Sequence, residues 1–407
     1  MIPVYFEQKL VGVIEGEGAT LQFRYAEPWV NSAESFPISA RFPILTEPFD
    51  ASDSTNWFAN LLPEEDQLVA FARLNQAHPA DLYSLLQRAG RETAGALSIG
   101  GPEAIGRYDA RNAAQLENDI EQLPARPLLA GGDEVSLSLA GAQSKMVLAR
   151  LNGELHLPLN GAASTHILKP ANRLYASIAN EALCMRLAQA IGLDVAHVET
   201  GRAGQHAYIL IERYDRARGE GLSIKRLHQE DAAQALGLSP LQKYEARGGA
   251  TLRDLFDLID NFSQQRVRDR LELRDRVIFN ACIGNTDAHA KNFSFMISNG
   301  YRLAPAYDLL SAAPYNEITE NMAMKIGGGR NFRHLSGKHW LAFAAECRLA
   351  ASPLLRRVQE IANLILTHID ACSENLAREP GASNEEVGYV KGFIIDQANG
   401  MKAKLTA

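Results

Sequence analysis

Three polar side chains in the C-terminal half of the chain have the types and spacing of a phosphate-transfer centre. Asp287 is followed five residues later by Asn292, and Asp308 comes sixteen residues after that. Phosphotransferases supply a proton-accepting carboxylate and two hard oxygen ligands for Mg²⁺ in this order. Apolar residues flank the polar run, and a bound metal or ligand would offset the cost of burying such side chains. The pattern predicts Asp287 as the catalytic base and Asn292 and Asp308 as metal ligands.

Two earlier segments could hold the phosphates of a nucleotide. Small residues between Ser138 and Lys145 would let backbone N–H groups approach phosphate oxygens, although a plain surface loop can have the same composition. Lys169 ends an apolar run, and Glu181 follows twelve residues later on a predicted helix. A carboxylate so placed could fix a lysine that touches phosphate, whereas in isolation the two would be a surface lysine and a solvated glutamate.

Two further positions keep more than one interpretation. The run from Ile209 to Asp215 passes from a predicted strand into polar residues. A hinge there would offer backbone groups to adenine, with Tyr214 against the base, but a plain strand end would have the same sequence. His289 could either contact a phosphate or stabilise its own turn.

Hydrophobic periodicity and turn residues predict the elements that must position these side chains. Asn152-Gly153 predicts a tight hairpin whose second strand stops at Pro158. Ser177 is the predicted N-cap of a helix that has one apolar stripe, and Gly192 is the predicted end of this helix. The predicted strands lie at 4–6, 10–13, 145–151, 154–157, 165–169, 195–200 and 206–213, and the predicted helices lie at 64–75, 81–89 and 112–123, from 177, from 353 and from 384.

This order of elements predicts an α+β protein with a two-lobed, protein-kinase-like fold. We expect a small mixed α/β N-terminal domain, an antiparallel-sheet nucleotide lobe and an all-helical C-terminal lobe. The predicted boundaries are 1–105 for the N-terminal domain, 106–132 for a connector, 133–225 for the nucleotide lobe and 226–407 for the helical lobe.

Composition excludes several broad classes of protein. The net charge of −7 gives no overall basic excess that would drive binding to nucleic acid. Charged residues interrupt the first twenty positions, and no run approaches the roughly 20 apolar residues of a membrane span, so we expect neither a secretory signal nor a membrane anchor. The four widely spaced cysteines predict free thiols in a reducing cytoplasm.

The chain resembles HipA-type serine/threonine kinases, the toxin half of bacterial HipA–HipB modules, over nearly its full length. Many motifs match in the same order, which leaves little room for coincidence. In the N-terminal domain they are Asn60–Glu64 and Ala94–Leu97; further along they are Ser138–Lys145, Thr165–Lys169, Asn180-Glu181, Glu212–Asp215, Gln229–Asp231, Lys243–Glu245, Gly284–Asn292 and Tyr307-Asp308.

The resemblance implies ATP and Mg²⁺ as cofactors and a role for each matched residue. Asp287 would be the base, Lys169 would contact the α- and β-phosphates and pair with Glu181, and Ser138 would be autophosphorylated as an off-switch, with Ser136 as the alternative. The implied cofactor-binding residues are Ala140, Gly141, Ala142, Gln143, Ser144 and Lys145 in a phosphate loop, Glu212, Arg213 and Tyr214 around adenine, and His289, Ala290, Lys291, Asn292, Tyr307 and Asp308 in the nucleotide and metal site.

The resemblance also implies partners. The best-known family substrate is glutamyl-tRNA synthetase, whose modification slows growth, and the usual partner is a small HipB-like helix-turn-helix antitoxin that carries the complex to operator DNA. An acidic chain would then meet DNA only through that antitoxin. The stretch between Lys169 and Glu181 is shorter here than in members with an activation-type loop, which leaves open how a substrate docks.

Two other functions fit parts of the sequence. The spacing of Gly284, Asp287, His289 and Asn292 also occurs in phosphoinositide kinases, and Asp followed by Asn five residues later suits aminoglycoside phosphotransferases. The match of the first hundred residues and the lack of a basic lipid-binding run argue against a lipid or small-molecule kinase. A catalytically silent corepressor that only assists an antitoxin is disfavoured because Lys169, Asp287, Asn292 and Asp308 are all present.

Overall fold

The computed structural model describes residues 1–103, 106–130, 138–219, 223–298 and 300–405. Its N-terminal part is a four-stranded antiparallel sheet in the order β3-β2-β1-β4, covered by helices. Alternate residues of the third strand, Leu21, Phe23 and Tyr25, point into an aromatic core. The elements are β1 (Ile2–Phe6), β2 (Lys9–Glu17), β3 (Thr20–Tyr25), α1 (Glu27–Val30), α2 (Ala51–Ala59), α3 (Glu65–Leu74), α4 (Leu82–Ala89) and β4 (Leu97–Ile99).

A six-stranded antiparallel sheet in the order β5-β7-β6-β8-β10-β9 forms the second part. Asn152 and Gly153 both have positive φ, at 50° and 88°, so the predicted tight hairpin between the second and third of these strands in sequence is confirmed. The elements are β5 (Arg107–Ala110), α5 (Ala113–Gln122), β6 (Met146–Leu151), β7 (Glu154–Leu159), β8 (His166–Pro170), α6 (Ser177–Ala190), β9 (Val198–Ala203) and β10 (His206–Glu212).

The sequence analysis was wrong about one edge of this sheet. Strand β7 does not stop at Pro158 but continues through it, and Pro158 pairs with Tyr108 of β5. Strand β5 lies in the segment predicted as a connector and was not predicted, because its four mostly exposed residues carry no apolar alternation.

Helix α6 also differs from the prediction at its start and on its surface. Ala176, with φ of 58°, occupies the N-cap position, and the hydroxyl of Ser177 instead accepts a hydrogen bond from the Asn172 backbone N–H. Ala190 at the end of the helix is exposed, whereas most of the other helix residues are buried instead of forming a single apolar stripe. The helix is buried nearly all round because it lies between the second sheet and the C-terminal helices. Gly192, with φ of 93°, follows its end as predicted.

The C-terminal part is mainly helical, which confirms the α+β two-lobed class, but it also contains short strands that an all-helical lobe would lack. Strands β13, β14 and β15 form one small sheet, and β11 with β12 and β16 with β17 form hairpins. The elements are β11 (Arg216–Arg218), β12 (Ile224–Arg226), β13 (Gln229–Asp231), α7 (Ala232–Ala235), α8 (Leu252–Phe262), α9 (Arg266–Ile283), β14 (Ser294–Met296), β15 (Arg302–Leu303), β16 (Asn321–Ile326), β17 (Gly329–Asn331), α10 (Gly337–Glu346), α11 (Ala351–Leu376) and α12 (Asn384–Leu405).

The four cysteines carry free thiols in this fold. Among the residues that the structure describes, no helix combines the length and apolar character needed to cross a membrane.

Candidate active site

The catalytic loop predicted from Asp287 and Asn292 lies between α9 and β14. Helix α9 ends at Gly284, whose φ of 72° is the left-handed conformation that suits glycine at a helix C-terminus. The side-chain oxygen of Asn285 then accepts a hydrogen bond from the Asp287 backbone N–H at 2.9 Å, and its amide donates to Asn280 at 3.0 Å. These bonds hold the loop in one conformation over the end of the helix.

The Asp287 side chain packs against protein atoms on one side and faces an open cleft on the other. Its Oδ1 accepts a hydrogen bond from the Tyr244 hydroxyl at 2.9 Å, and 44% of its side-chain surface remains exposed on the cleft side. Desolvation by the surrounding protein raises the pKa of Asp287 above its ordinary value, although the bond from Tyr244 opposes this. The amide nitrogen of Asn292 donates to the Asp287 backbone carbonyl at 2.7 Å, which leaves its Oδ1 as the candidate metal ligand.

Lys169, in β8 of the second sheet, pairs with one carboxylate of α6 and one in the segment after β15. Its ammonium nitrogen lies 2.8 Å from Oε1 of Glu181 and 2.6 Å from Oδ1 of Asp308. Burial opposes the charged form of Lys169, but the two carboxylates prevail and raise its pKa. Burial likewise opposes the ionised form of Asp308, but the Lys169 ammonium lowers the pKa of that carboxyl, so both remain charged. Asp308 also has a positive φ of 57°, a conformation uncommon for non-glycine residues.

The predicted phosphate loop runs over the same cavity. Gly141 has a φ of 106°, a conformation that residues with a Cβ rarely adopt. The Lys145 ammonium donates to the Ala140 carbonyl within the loop. Burial, together with the nearby Lys169 charge, lowers the pKa of Lys145 to about 8. The ammonium groups of Lys145 and Lys169 repel each other beneath this glycine-containing loop, and a bound anion would offset that repulsion.

Two tyrosines form a flat wall on the other side of the cavity. The rings of Tyr214 and Tyr307 are stacked, with centroids 5.8 Å apart. The Tyr307 hydroxyl donates to the Lys291 carbonyl at 2.6 Å, and the Tyr214 hydroxyl donates to Gln229. Arg213 borders the cavity, but its guanidinium belongs to a buried ionic cluster that also contains Glu92, Asp215, Arg216 and Arg226.

His289 and Lys291 are placed differently within the loop. His289 Nε2 lies 3.8 Å from Oδ1 of Asp287, while His289 Nδ1 is buried without a hydrogen-bond partner among the described residues. Burial lowers the pKa of His289, so the ring is neutral and this nitrogen could accept or donate one bond to a ligand. The Lys291 ammonium instead contacts Glu64 at 2.8 Å and Asn60 at 2.9 Å, two side chains from the N-terminal domain.

Most predicted site residues meet around one cavity of about 360 Å³, a volume within the range of small-molecule sites. A larger cavity of about 1170 Å³ adjoins it and shares Asp287. Ser144 borders only the larger cavity, and Ala290, Glu181 and Ser138 border neither. The predicted residues that line the first cavity are Ala140, Gly141, Ala142, Gln143, Lys145, Lys169, Glu212, Arg213, Tyr214, Asp287, His289, Lys291, Asn292, Tyr307 and Asp308.

Several lining residues received no role from the sequence. Gln229 and Asp231 belong to a motif that was recognised without a function, and Asn60, Glu64 and Lys243 lie in motifs of the resemblance far from the catalytic loop in sequence. Ser138 is fully buried, and its hydroxyl donates to the Leu61 carbonyl at 2.8 Å. Ser136 lies outside the described residues.

The donor set suits the cofactors that the sequence predicts. The Asp308 carboxylate and the Asn292 amide oxygen are hard oxygen ligands of the kind Mg²⁺ takes, beside ammonium groups that phosphates would neutralise. The unpartnered Nδ1 of His289 is a further polar atom that a ligand in this cavity could satisfy.

Known proteins are similar to this chain over most of its length. Residues 2–100 match the family described as "HipA N-terminal domain", and residues 137–369 match the "HipA-like C-terminal domain". A Sinorhizobium fredii protein named "Putative kinase Y4mE" is 40% identical over 93% of this chain and 91% of its own length. The "Serine/threonine-protein kinase toxin HipA" of Shewanella oneidensis is 28% identical over 92% of this chain and 88% of its own.

A solved structure has the same fold. It is the complex of HipA, HipB and operator DNA from the Shewanella oneidensis toxin–antitoxin system. The TM-score is 0.86 at 24% sequence identity, and the alignment covers 99% of this chain and 98% of that one.

Proposed function

Because the chain belongs to the HipA family of serine/threonine kinase toxins, we propose that it transfers the γ-phosphate of ATP to a protein hydroxyl in a Mg²⁺-dependent reaction. The observation that carries this proposal is that Lys169, Asp287 and Asp308 meet in one cavity, although 118 residues separate the first two in sequence. We propose the cytosol as the location of this reaction, as the composition leads us to expect.

The geometry assigns a task to each part of the site. Lys169 and the phosphate loop would neutralise and orient the phosphates, and the stacked pair of Tyr214 and Tyr307 would offer a flat surface to the base. A magnesium ion held by Asn292 and Asp308 would supply positive charge to the phosphate oxygens. Asp287 would accept the proton of the acceptor hydroxyl, which could enter from the larger cavity that Asp287 also borders.

We extend the proposal to self-inactivation at Ser138. The hydroxyl of Ser138 is buried, and its backbone N–H donates to the Glu92 carbonyl at 2.8 Å. A phosphate group would bring a charge of about −1.5 to −2, which could not remain in this position. Phosphorylation would therefore require the start of the phosphate loop to leave its place, and the loop could no longer cradle ATP.

We also propose the partners that the family suggests. The Shewanella HipA structure contains HipB and operator DNA, so a HipB-like antitoxin is the expected partner of this chain. With a net charge of −7, the chain would contact DNA through that antitoxin. The proposed substrate is glutamyl-tRNA synthetase, on the resemblance alone.

The direct test is phosphate transfer from γ-³²P-labelled ATP by purified wild type and by Asp287→Asn. Glutamyl-tRNA synthetase and whole bacterial lysate serve as acceptors, with inositol lipid vesicles in parallel. We expect Mg²⁺-dependent protein labelling that falls by about 100-fold or more in the variant, because general-base catalysis contributes about 10²–10⁴-fold. Asp257→Asn, a surface change on α8, should label like wild type.

Three outcomes would contradict the proposal. The first is lipid labelling without protein labelling, and the second is undiminished labelling by Asp287→Asn. The third is a wild type that binds ATP but transfers nothing, which would favour the silent corepressor.

A further inference from the structure

A short segment of the N-terminal domain, Asn60–Glu64, lies against both loops of the candidate site. It connects the end of α2 to the start of α3. Both of its polar side chains are buried, with residue exposures of 1% for Asn60 and 8% for Glu64. Polar side chains are seldom buried to this extent unless they are paired, so their partners indicate what the segment holds.

The first partner is the catalytic loop. Oε1 of Glu64 lies 2.8 Å from the Lys291 ammonium, which also bonds to Oδ1 of Asn60 at 2.9 Å. Oε2 of Glu64 lies 3.0 Å from the Lys243 ammonium. Burial disfavours the charged carboxylate, but the two ammonium groups outweigh it and lower the pKa of Glu64 to about 2. Glu64 therefore stays ionised between two lysines at any pH near neutral.

The second partner is the phosphate loop. The Glu64 backbone N–H donates to the Gly141 carbonyl at 3.3 Å, and Pro63 forms an isolated parallel bridge with Gly141. The Ser138 hydroxyl donates to the Leu61 carbonyl at 2.8 Å. The same five residues thus contact the loop that would cradle phosphate and the loop that would supply the base.

We propose that Asn60 and Glu64 are positioning residues for the transfer reaction, acting through Lys291. Lys291 is next to Asn292 in the chain, and its carbonyl accepts the Tyr307 hydroxyl, so fixing Lys291 fixes the metal-ligand end of the loop. Small displacements matter in such a site, because misplacement by about 1 Å can cost 10²-fold in rate. This inference rests on the proposed function, and it gives the Lys291 side chain an anchoring task instead of direct contact with ATP.

The test is a double-mutant cycle with Glu64→Gln, Lys291→Gln and the two combined. Each single variant should lower kcat for ³²P transfer by about 10- to 100-fold through loss of loop placement. The Kd for Mg²⁺·ATP should stay within about threefold of wild type, because the Glu64 backbone bond to Gly141 remains. The double variant should be about as slow as the slower single variant and no slower, because the two side chains act as one unit.

Controls separate positioning from general destabilisation. Glu65→Gln removes a neighbouring carboxylate that is 66% exposed and, within the described part of the chain, pairs with Lys243, and it should keep kcat within about twofold. If a single variant does not fold, the double variant still decides the matter, since it leaves no unpaired buried charge from this pair. Its thermal unfolding midpoint and its Kd for Mg²⁺·ATP establish that it is folded.

The measured kcat and Kd values distinguish failure of this inference from failure of the proposed function. A folded double variant with wild-type kcat overturns the inference, and so does a rise of about tenfold or more in the Kd of Lys291→Gln with unchanged kcat, which would make Lys291 an ATP ligand. A wild type that transfers no phosphate to any acceptor refutes the proposed function instead.

Discussion

Two features of its surroundings shift the pKa of the Asp287 carboxylate in opposite directions. Burial raises its pKa, and the hydrogen bond from the Tyr244 hydroxyl lowers it. A general base acts only when it is unprotonated, so kcat/KM should fall as the pH drops through this pKa. In the proposed reaction, the hydroxyl of Tyr244 therefore contributes to the acid limit of activity.

We expect Tyr244→Phe to move the acid limb of the pH profile of kcat/KM toward higher pH. The change removes a donor that favours the ionised form of Asp287, so the pKa of Asp287 rises further. The rate well above this limb should change little, because the base remains and the phenyl ring can keep its edge contact with His289. The control is Tyr108→Phe, because the Tyr108 hydroxyl donates to the Ala163 carbonyl and does not contact Asp287. A limb that stays in place or moves to lower pH would contradict this account of Asp287.

Spacing along the chain identified some site residues and missed others for a physical reason. Asp287 and Asn292 lie on one loop, and a short polar run between apolar flanks is visible in sequence. The contact of Lys291 with Asn60 joins positions 231 residues apart, and nothing local to either position indicates it. The resemblance placed Lys291 in the nucleotide site, whereas its ammonium group lies against the N-terminal domain.

At the scale of elements, strand β13 links the catalytic loop to the N-terminal domain. It pairs with β14, which starts two residues after Asn292. The side chain of Glu230 in β13 accepts bonds from the Trp57 indole at 3.0 Å and the Ala40 backbone at 2.8 Å. Every strand of this lobe except β16 has two or three residues, which is too short to show alternation, and the six residues of β16 do not alternate regularly between buried and exposed, so the sequence predicted only helices in this lobe.

Glu230 should make stability depend on pH. Burial raises its pKa from 4.5 to about 7, so the folded state holds a proton that the unfolded state releases between these values. The stabilisation is complete below about pH 4.5 and is lost as the pH rises through 7. From pH 5 to pH 8, the free energy of unfolding of wild type should fall relative to Glu230→Gln by about 2–3 kcal/mol.

Urea unfolding at the two pH values measures this difference. Glu7→Gln, a change at an exposed position, should show the same pH dependence as wild type. A constant offset between wild type and Glu230→Gln at both pH values would contradict the role given to Glu230.

In the molecule as a whole, the N-terminal domain is joined to the other two parts by buried charge as well as by the Asn60–Glu64 segment. The Glu92 carboxylate lies 3.1 Å from Arg213, 2.9 Å from Arg216 and 2.7 Å from Arg226. Removing one partner from such a cluster typically costs about 3–5 kcal/mol. Sequence patterns predicted the order and class of the parts, but contacts over 120 residues or more carry no local signal, so the way the parts join could not be predicted.

The central claim is that side chains from separate parts of the chain meet around Mg²⁺ and ATP beside a proton-accepting carboxylate. A crystal structure with Mg²⁺ and a non-hydrolysable ATP analogue tests it most directly. We expect the metal to take Oδ1 of Asn292 and a carboxylate oxygen of Asp308 at about 2.0–2.1 Å. Lys169 should then contact the phosphates, and Asp287 should face the γ-phosphate. A nucleotide bound elsewhere, or a metal held without Asn292 and Asp308, would contradict the account.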